Sequence, residues 1–267
     1  MSKAVALGVV GLALSASMLG LGYFAGSPGA SGQRTAMAEQ VRMPGDMDRA
    51  AIEAIVRDYL VANPEVIVEV QQALEARERE TRLVAQRQAI TDSSDHIFNA
   101  AYDGIVGNPE GDVTVVEFFD YNCGFCKRAM EDMDAMVEAD PELRFVLKEF
   151  PILGPDSRAA HVVSMAFRTL APEQYGDFHR ELLMSTGRAS EASAIRIALS
   201  HGVAEEDLRR EMQNPEIEAA FEATYRLADQ LNVTGTPSYV IGDEMVFGAQ
   251  GLAALAEKVE QARDSGS

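Results

Sequence analysis

The chain has 267 residues, 47% hydrophobic and 24% charged, enough for one sizeable domain with a real core plus extensions. Its net charge of −19 excludes nucleic acid as a partner, because the polyanion would be repelled. Two cysteines cannot staple a scaffold. With four scattered histidines (His96, His161, His179, His201) they also fall short of the four ligands of a structural zinc site, so no metal is expected.

Residues 4–26 carry no charge and consist mostly of Ala, Val, Leu and Gly, with Lys3 just ahead. The run is close to the roughly 20 residues that span a bilayer and longer than a signal core of about 7–15. It reads as a signal peptide or membrane anchor, the uncleaved anchor slightly favoured, and either one delivers the rest of the chain outside the cytoplasm. Residues 27–46, rich in Gly, Ser and Ala with Pro28 and Pro44, read as a flexible linker.

Helical spacing begins at residue 47. Ile52, Ile55, Val56, Tyr59 and Leu60 form one apolar face. Asn63-Pro64 interrupts it, with Asn63 expected to cap a second helix from Glu65 to about Ile90, striped by Ile67, Val70 and Leu74. An apolar stripe of this kind needs cover, either the main domain or copies of itself. Residues 47–98 are therefore expected to be a helical segment that acts as an oligomerisation arm through residues 47–90, or else folds back on its own domain.

Asp103-Gly104 and Gly107–Asp112 are turn chemistry and mark a boundary. Val113–Phe119, β-branched and aromatic, predicts a strand buried on both faces with one acid, Glu117, inside it. Cys123-Gly124-Phe125-Cys126 follows at the start of a predicted helix, where unpaired N–H groups and the helix dipole favour a thiolate at the first sulfur. Leu143–Phe150 predicts a second strand, which makes a βαβ unit. Residues 156–232 are helical throughout, and Val233–Ile241 places Thr236-Pro237 immediately before a further strand. Met245-Val246-Phe247 pairs back as a hairpin and Leu252–Ala262 is a closing helix.

This order, with a Cys-x-x-Cys after the first strand and Thr-Pro before the third, resembles the thioredoxin fold. The helical insertion makes it similar to the DsbA family. The blocks Glu117–Lys127, Lys148–Gly154 and Thr234–Pro237 are similar to the ScsC-like extracytoplasmic disulfide oxidoreductases. The resemblance spans about residues 48–264. It implies an α/β, thioredoxin-like domain over 99–264 with its insertion at about 156–232, preceded by an N-terminal helical extension.

The resemblance implies that Cys123 is the nucleophile and Cys126 the resolving thiol. It implies that Glu117 is a buried acid assisting proton transfer, with an acid pointing outward from an edge strand as the alternative. Pro237 matches the cis-proline that faces the cysteines, and Thr236 before it would pair with substrate backbone. Lys148 is either a charge partner of Glu117 or a surface lysine. Gly124-Phe125 and Thr236 are nearer to disulfide isomerases than to the Pro-His and Val of DsbA oxidases. The expected function is therefore periplasmic thiol–disulfide exchange, isomerase or reductase ahead of dithiol oxidase, with a copper-handling thiol protein as a further alternative. Such chemistry needs no cofactor. The implied partners are cysteine-containing exported proteins and a membrane redox partner.

Overall fold

The computed structural model describes residues 48–266. The expected signal or anchor (1–26) and linker (27–46) lie outside the described residues. The chain divides after Asn63 into two units. In the first, α1 (Arg49–Ala62) is capped by the Asp48 carboxylate, which accepts from the Ala50 N–H at 3.3 Å, and none of its residues is buried. Asn63 closes this helix, its backbone and side-chain N–H groups both donating to the Tyr59 carbonyl. The expectation that Asn63 opens the second helix is thus corrected, because Pro64 takes the cap position there.

The second unit begins with α2 (Glu65–Asp92), of which only Ile90 is buried, and α3 (Ser94–Phe98). Five strands then form one sheet among the described residues. They are β1 (Gly104–Gly107), β2 (Val113–Phe119), β3 (Leu143–Glu149), β4 (Ser238–Ile241) and β5 (Glu244–Phe247), in the spatial order β1-β3-β2-β4-β5. β2 runs parallel to β3 through α4 (Gly124–Ala139), and the other pairings are antiparallel. Helices α5 (Pro155–Leu170), α6 (Tyr175–Met184), α7 (Glu191–Ser200), α8 (Glu205–Glu211) and α9 (Pro215–Gln230) are inserted between β3 and β4, and α10 (Leu252–Asp264) closes the chain. This is a thioredoxin-like fold with a helical insertion and a helical segment ahead of it.

β2 is central in the sheet, which explains its nearly unbroken apolar sequence. Its Val115 and Phe119 join Leu147, Met130, Met133, Leu255 and Val259 in the core on one face. Val116 and Phe118 join Val146, Val240, Ile90, Ile97 and Leu227 on the other.

Two expectations are corrected here. Asp103-Gly104 is not only a turn, since Gly104 begins the edge strand β1, paired with Leu147. Tyr175 lies so close that a Cβ on Gly104 would come within 1.9 Å of its ring, so only glycine fits. Lys148 neither partners Glu117 nor lies at the surface. Its Cα partner in β2 is Phe118, which puts it on the face opposite Glu117. There its buried Nζ pairs with Asp103 and donates to the His96 carbonyl, joining β3 to the end of α3.

Candidate active site

Cys123 is the N-cap of α4, with extended backbone and its sulfur accepting the Cys126 N–H at 3.4 Å. Capping satisfies an orphan helix donor and brings the sulfur to the positive end of the helix. The Cys123 thiol also lies 3.1 Å from the Thr236 carbonyl, to which it donates. The Thr236–Pro237 bond is cis, and the Pro237 carbonyl accepts the Gly248 N–H at 2.9 Å. The fold therefore brings Cys123 together with Thr236-Pro237 from two distant parts of the chain. Both cysteines are free thiols and buried, Cys126 completely.

The two sulfurs ionise in opposite directions. Hydrogen bonding from the Cys126 thiol, then from the Thr236 side-chain hydroxyl and the Cys126 and Phe125 N–H groups, outweighs burial and lowers Cys123 to about 5. Burial raises Cys126, reinforced by its hydrogen bond to Cys123 and by the charge of Glu117. Glu117 is 3% exposed, on the α4 side of β2, and opposite Leu147 and Tyr239 in the neighbouring strands. Burial first, then the Cys123 charge, pushes it up to about 8.

Gly124 has nothing within 4 Å of where a Cβ would stand, and Phe125 is exposed, with the Arg128 guanidinium 4.3 Å from its ring centre. Neither residue is held in place by the core. Ile152 and Leu153 are also exposed, on the loop after β3. Lys148 is not part of the site.

Sequence reasoning assigned no role to the residues that hold the cysteine loop. The buried Asp120 carboxylate accepts from the N–H groups of Asn122, Ile152 and Leu153 at 2.8–3.0 Å and from the Ser157 hydroxyl at 2.5 Å. Asn122 exchanges two hydrogen bonds with the backbone of Ala189, ahead of α7. An acid and an amide directly before a capping cysteine were a local signal for such a brace, but their distant partners were not readable. Among the described residues no group of three or more His, Cys, Asp or Glu side chains is placed to hold a metal ion.

A capping thiol of low pKa, a buried second thiol and a facing cis-proline define a dithiol exchange centre, and the chain belongs to the DSBA-like thioredoxin domain family, whose description matches residues 114–260. It is a thiol–disulfide oxidoreductase of the DsbA and ScsC type, and residues 48–80 match the N-terminal domain of the copper resistance protein ScsC. A thioredoxin-like oxidoreductase from Silicibacter pomeroyi DSS-3 is 42% identical, with TM-score 0.61, covering 64% of this chain and 97% of its own. The thiol-disulfide exchange protein alpha-DsbA2 of Wolbachia pipientis is 31% identical, with TM-score 0.63, over 68% and 97%. A Proteus mirabilis ScsC variant with a linker deletion, 23% identical, shares the fold over 84% and 100% with TM-score 0.64. Among curated proteins, the disulfide bond formation protein D of Bacillus subtilis is 23% identical over 168 residues, 59% of this chain and 75% of that protein.

Proposed function

We propose that the protein exchanges disulfides with cysteine-containing exported proteins outside the cytoplasm, Cys123 being the nucleophile and Cys126 the resolving thiol. The observation that carries this reading is the placement of the pair at the start of α4, where the Cys123 sulfur caps the helix and accepts the Cys126 N–H beside Thr236-Pro237 while Cys126 is wholly buried one turn further in. The Cys123 thiolate attacks one sulfur of a substrate disulfide. A mixed disulfide forms and the other substrate sulfur leaves as thiolate. In isomerisation that freed thiolate attacks a different substrate disulfide, and the thiolate this expels attacks the substrate sulfur bonded to Cys123, breaking the mixed disulfide and releasing the Cys123 thiolate. In reduction Glu117, relieved of the Cys123 charge once the mixed disulfide has formed, takes the Cys126 proton as a carboxylate, and the Cys126 thiolate attacks Cys123, forming the Cys123–Cys126 disulfide and releasing the substrate thiolate. Oxidation is the same step reversed. Substrate backbone pairs at Thr236, beside Pro237.

Gly124-Phe125 and Thr236 support isomerase or reductase work over dithiol oxidation, because intervening residues that stabilise the thiolate less leave the disulfide less oxidising. Residues 47–90 serve as an oligomerisation arm, and a membrane redox partner resets the thiols. Residues 4–26, outside the described residues, deliver or tether the protein in the periplasm.

Cys123→Ser should abolish turnover of scrambled, disulfide-mispaired ribonuclease, and retained turnover would overturn the reading. The reduction potential of the pair decides direction. A value near the isomerase range of about −180 mV supports isomerisation, and one near the oxidase value of about −120 mV supports oxidation. The match of residues 48–80 to a copper resistance protein's domain favours a second reading, Cu(I) handling by the two thiolates. Stoichiometric Cu(I) binding without disulfide turnover would favour it.

A further inference from the structure

Behind the cysteine loop lies a buried polar cluster that the exchange chemistry does not itself use. Glu149 ends β3, His161 and Ser164 stand one turn apart on α5, Tyr175 and His179 one turn apart on α6, and all five are buried. Glu149 accepts from the Ser164 hydroxyl at 2.6 Å and the Tyr175 hydroxyl at 3.1 Å, and pairs with Nδ1 of His161. On the other edge of that ring, Nε2 of His161 accepts the backbone N–H of Tyr121 at 3.2 Å. An N–H donor requires a bare ring nitrogen, so the proton of His161 is on Nδ1, facing Glu149. Asp120 Oδ1 lies 4.0 Å from Nε2, beyond hydrogen-bond reach. The Tyr121 hydroxyl returns to the same cluster, 2.7 Å from Ser164 and 3.2 Å from His179. The Tyr121 and His161 rings are in contact, their centres 4.6 Å apart.

Tyr121 is inside the turn that delivers the nucleophile. That turn is closed by the Cys123 N–H donating to the Asp120 carbonyl at 2.9 Å. A buried N–H deprived of its acceptor is costly, so the turn would shift to find another partner. Cys123 moves with the turn. Its sulfur already sits 3.4 Å from the Cys126 N–H, and a displacement of a few tenths of an ångström would weaken the bonds that hold the thiolate.

We propose that His161, held by Glu149 with its Nε2 bare, is a positioning residue that aligns Cys123 with the start of α4 and thereby sets the redox poise of the pair. This rests on the reading of Cys123 as nucleophile. The readouts are the thiolate absorbance titration of Cys123 and the reduction potential, neither of which a purely structural role would move in step.

His161→Leu should raise the Cys123 pKa by about one unit, leaving tenfold less thiolate on the acid side, and make the pair more reducing. His161→Gln, whose Oε1 reaches the place of Nε2, should stay within a few-fold of the natural protein in both. A His161→Leu titration that superimposes on the natural one, or a His161→Gln shift as large as that of His161→Leu, would overturn the proposal. Should His161→Leu fail to fold, ring ¹⁵N shifts of His161 in the natural protein decide. A bare Nε2 at pH 7 supports the proposal and a protonated Nε2 overturns it. If the natural protein forms neither a Cys123–substrate mixed disulfide nor a Cys123–Cys126 disulfide on turnover, the exchange reading itself fails. If it does and His161→Leu matches it, only the positioning role fails.

Discussion

Cys123 and Cys126 are one helical turn apart, yet hydrogen bonds lower the first sulfur to about 5 while burial and the Glu117 charge raise the second. In the reduced protein, iodoacetamide at low excess should label Cys123 alone. Its rate should be flat above about pH 6 and fall about tenfold per unit below pH 5, and a midpoint at the ordinary thiol value of about 8.5 would contradict the capped geometry. Glu117 behaves in the opposite sense to an ion-paired acid. Unfolded, its carboxyl ionises near 4.5; folded, it keeps its proton to about 8. The native state therefore loses stability as pH rises through that window, relative to a chain without the acid. Glu117→Gln should be neutral below pH 4 and gain on the order of 2–4 kcal/mol by pH 8, read from urea midpoints. It should also slow resolution of the mixed disulfide about 10²-fold. An equal stability change at pH 4 and pH 8 would remove the buried-acid assignment.

At the level of elements, the junction of β3 with α3 depends on one ion pair in an apolar setting. Lys148 is wholly buried between Asp103 and the His96 carbonyl, and burial drives the two partners towards neutrality, raising Asp103 and lowering Lys148. Removing one partner strands the other, so Lys148→Met should cost about 3–5 kcal/mol, while Lys148→Met with Asp103→Leu should recover most of that loss. Denaturant midpoints at unchanged slope would check both, and a double variant no better than the single would contradict the pairing. The same junction marks where sequence reading stopped. The βαβ unit and the closing hairpin and helix were legible because their apolar residues recur at strand and helix spacing. β1 was not, because Gly-Ile-Val-Gly offers only two apolar side chains and becomes a strand through pairing with β3. Cys123, Cys126, Thr236 and Pro237 stood out by residue type and position. Asp120, Asn122 and His161 act through partners 32 to 67 residues away for the loop braces, and through Tyr121 and Glu149 for His161, none of which spacing reveals. Lys148 was misread because its partner is set by strand register, which assigns it to the face of Phe118 rather than of Glu117.

At the scale of the whole molecule, the segment ahead of the catalytic domain leaves its apolar side chains uncovered. Ile52, Ile55, Val56 and Tyr59 of α1 are 42–60% exposed, and so are Ile67, Val70 and Leu74 of α2. Side chains three and four apart on a long helix share one face, and such a face gains about 25 cal/mol per Å² when a partner covers it. The C-terminal end of α2 differs, since Ile90 is buried in the core and Arg87 pairs with Asp243 at 3.0 Å. A deletion meant to test assembly should therefore stop at residue 80 and leave this docked end intact. Light scattering on the chain from residue 48 onwards should give a multiple of one chain's mass, and removing 48–80 should reduce it to one. Ile67→Lys, Val70→Lys and Leu74→Lys together should do the same without shortening the helix, by adding charge to the face proposed as the interface. The thiolate titration of Cys123 should be unchanged in these variants, while reshuffling of scrambled ribonuclease should fall several-fold, because an isomerase presenting several thiols to one substrate loses that advantage as a monomer. A natural chain that is already monomeric, or a triple-lysine variant of unchanged mass, would show that this face is not the interface, and would take the structural support from the isomerase reading with it.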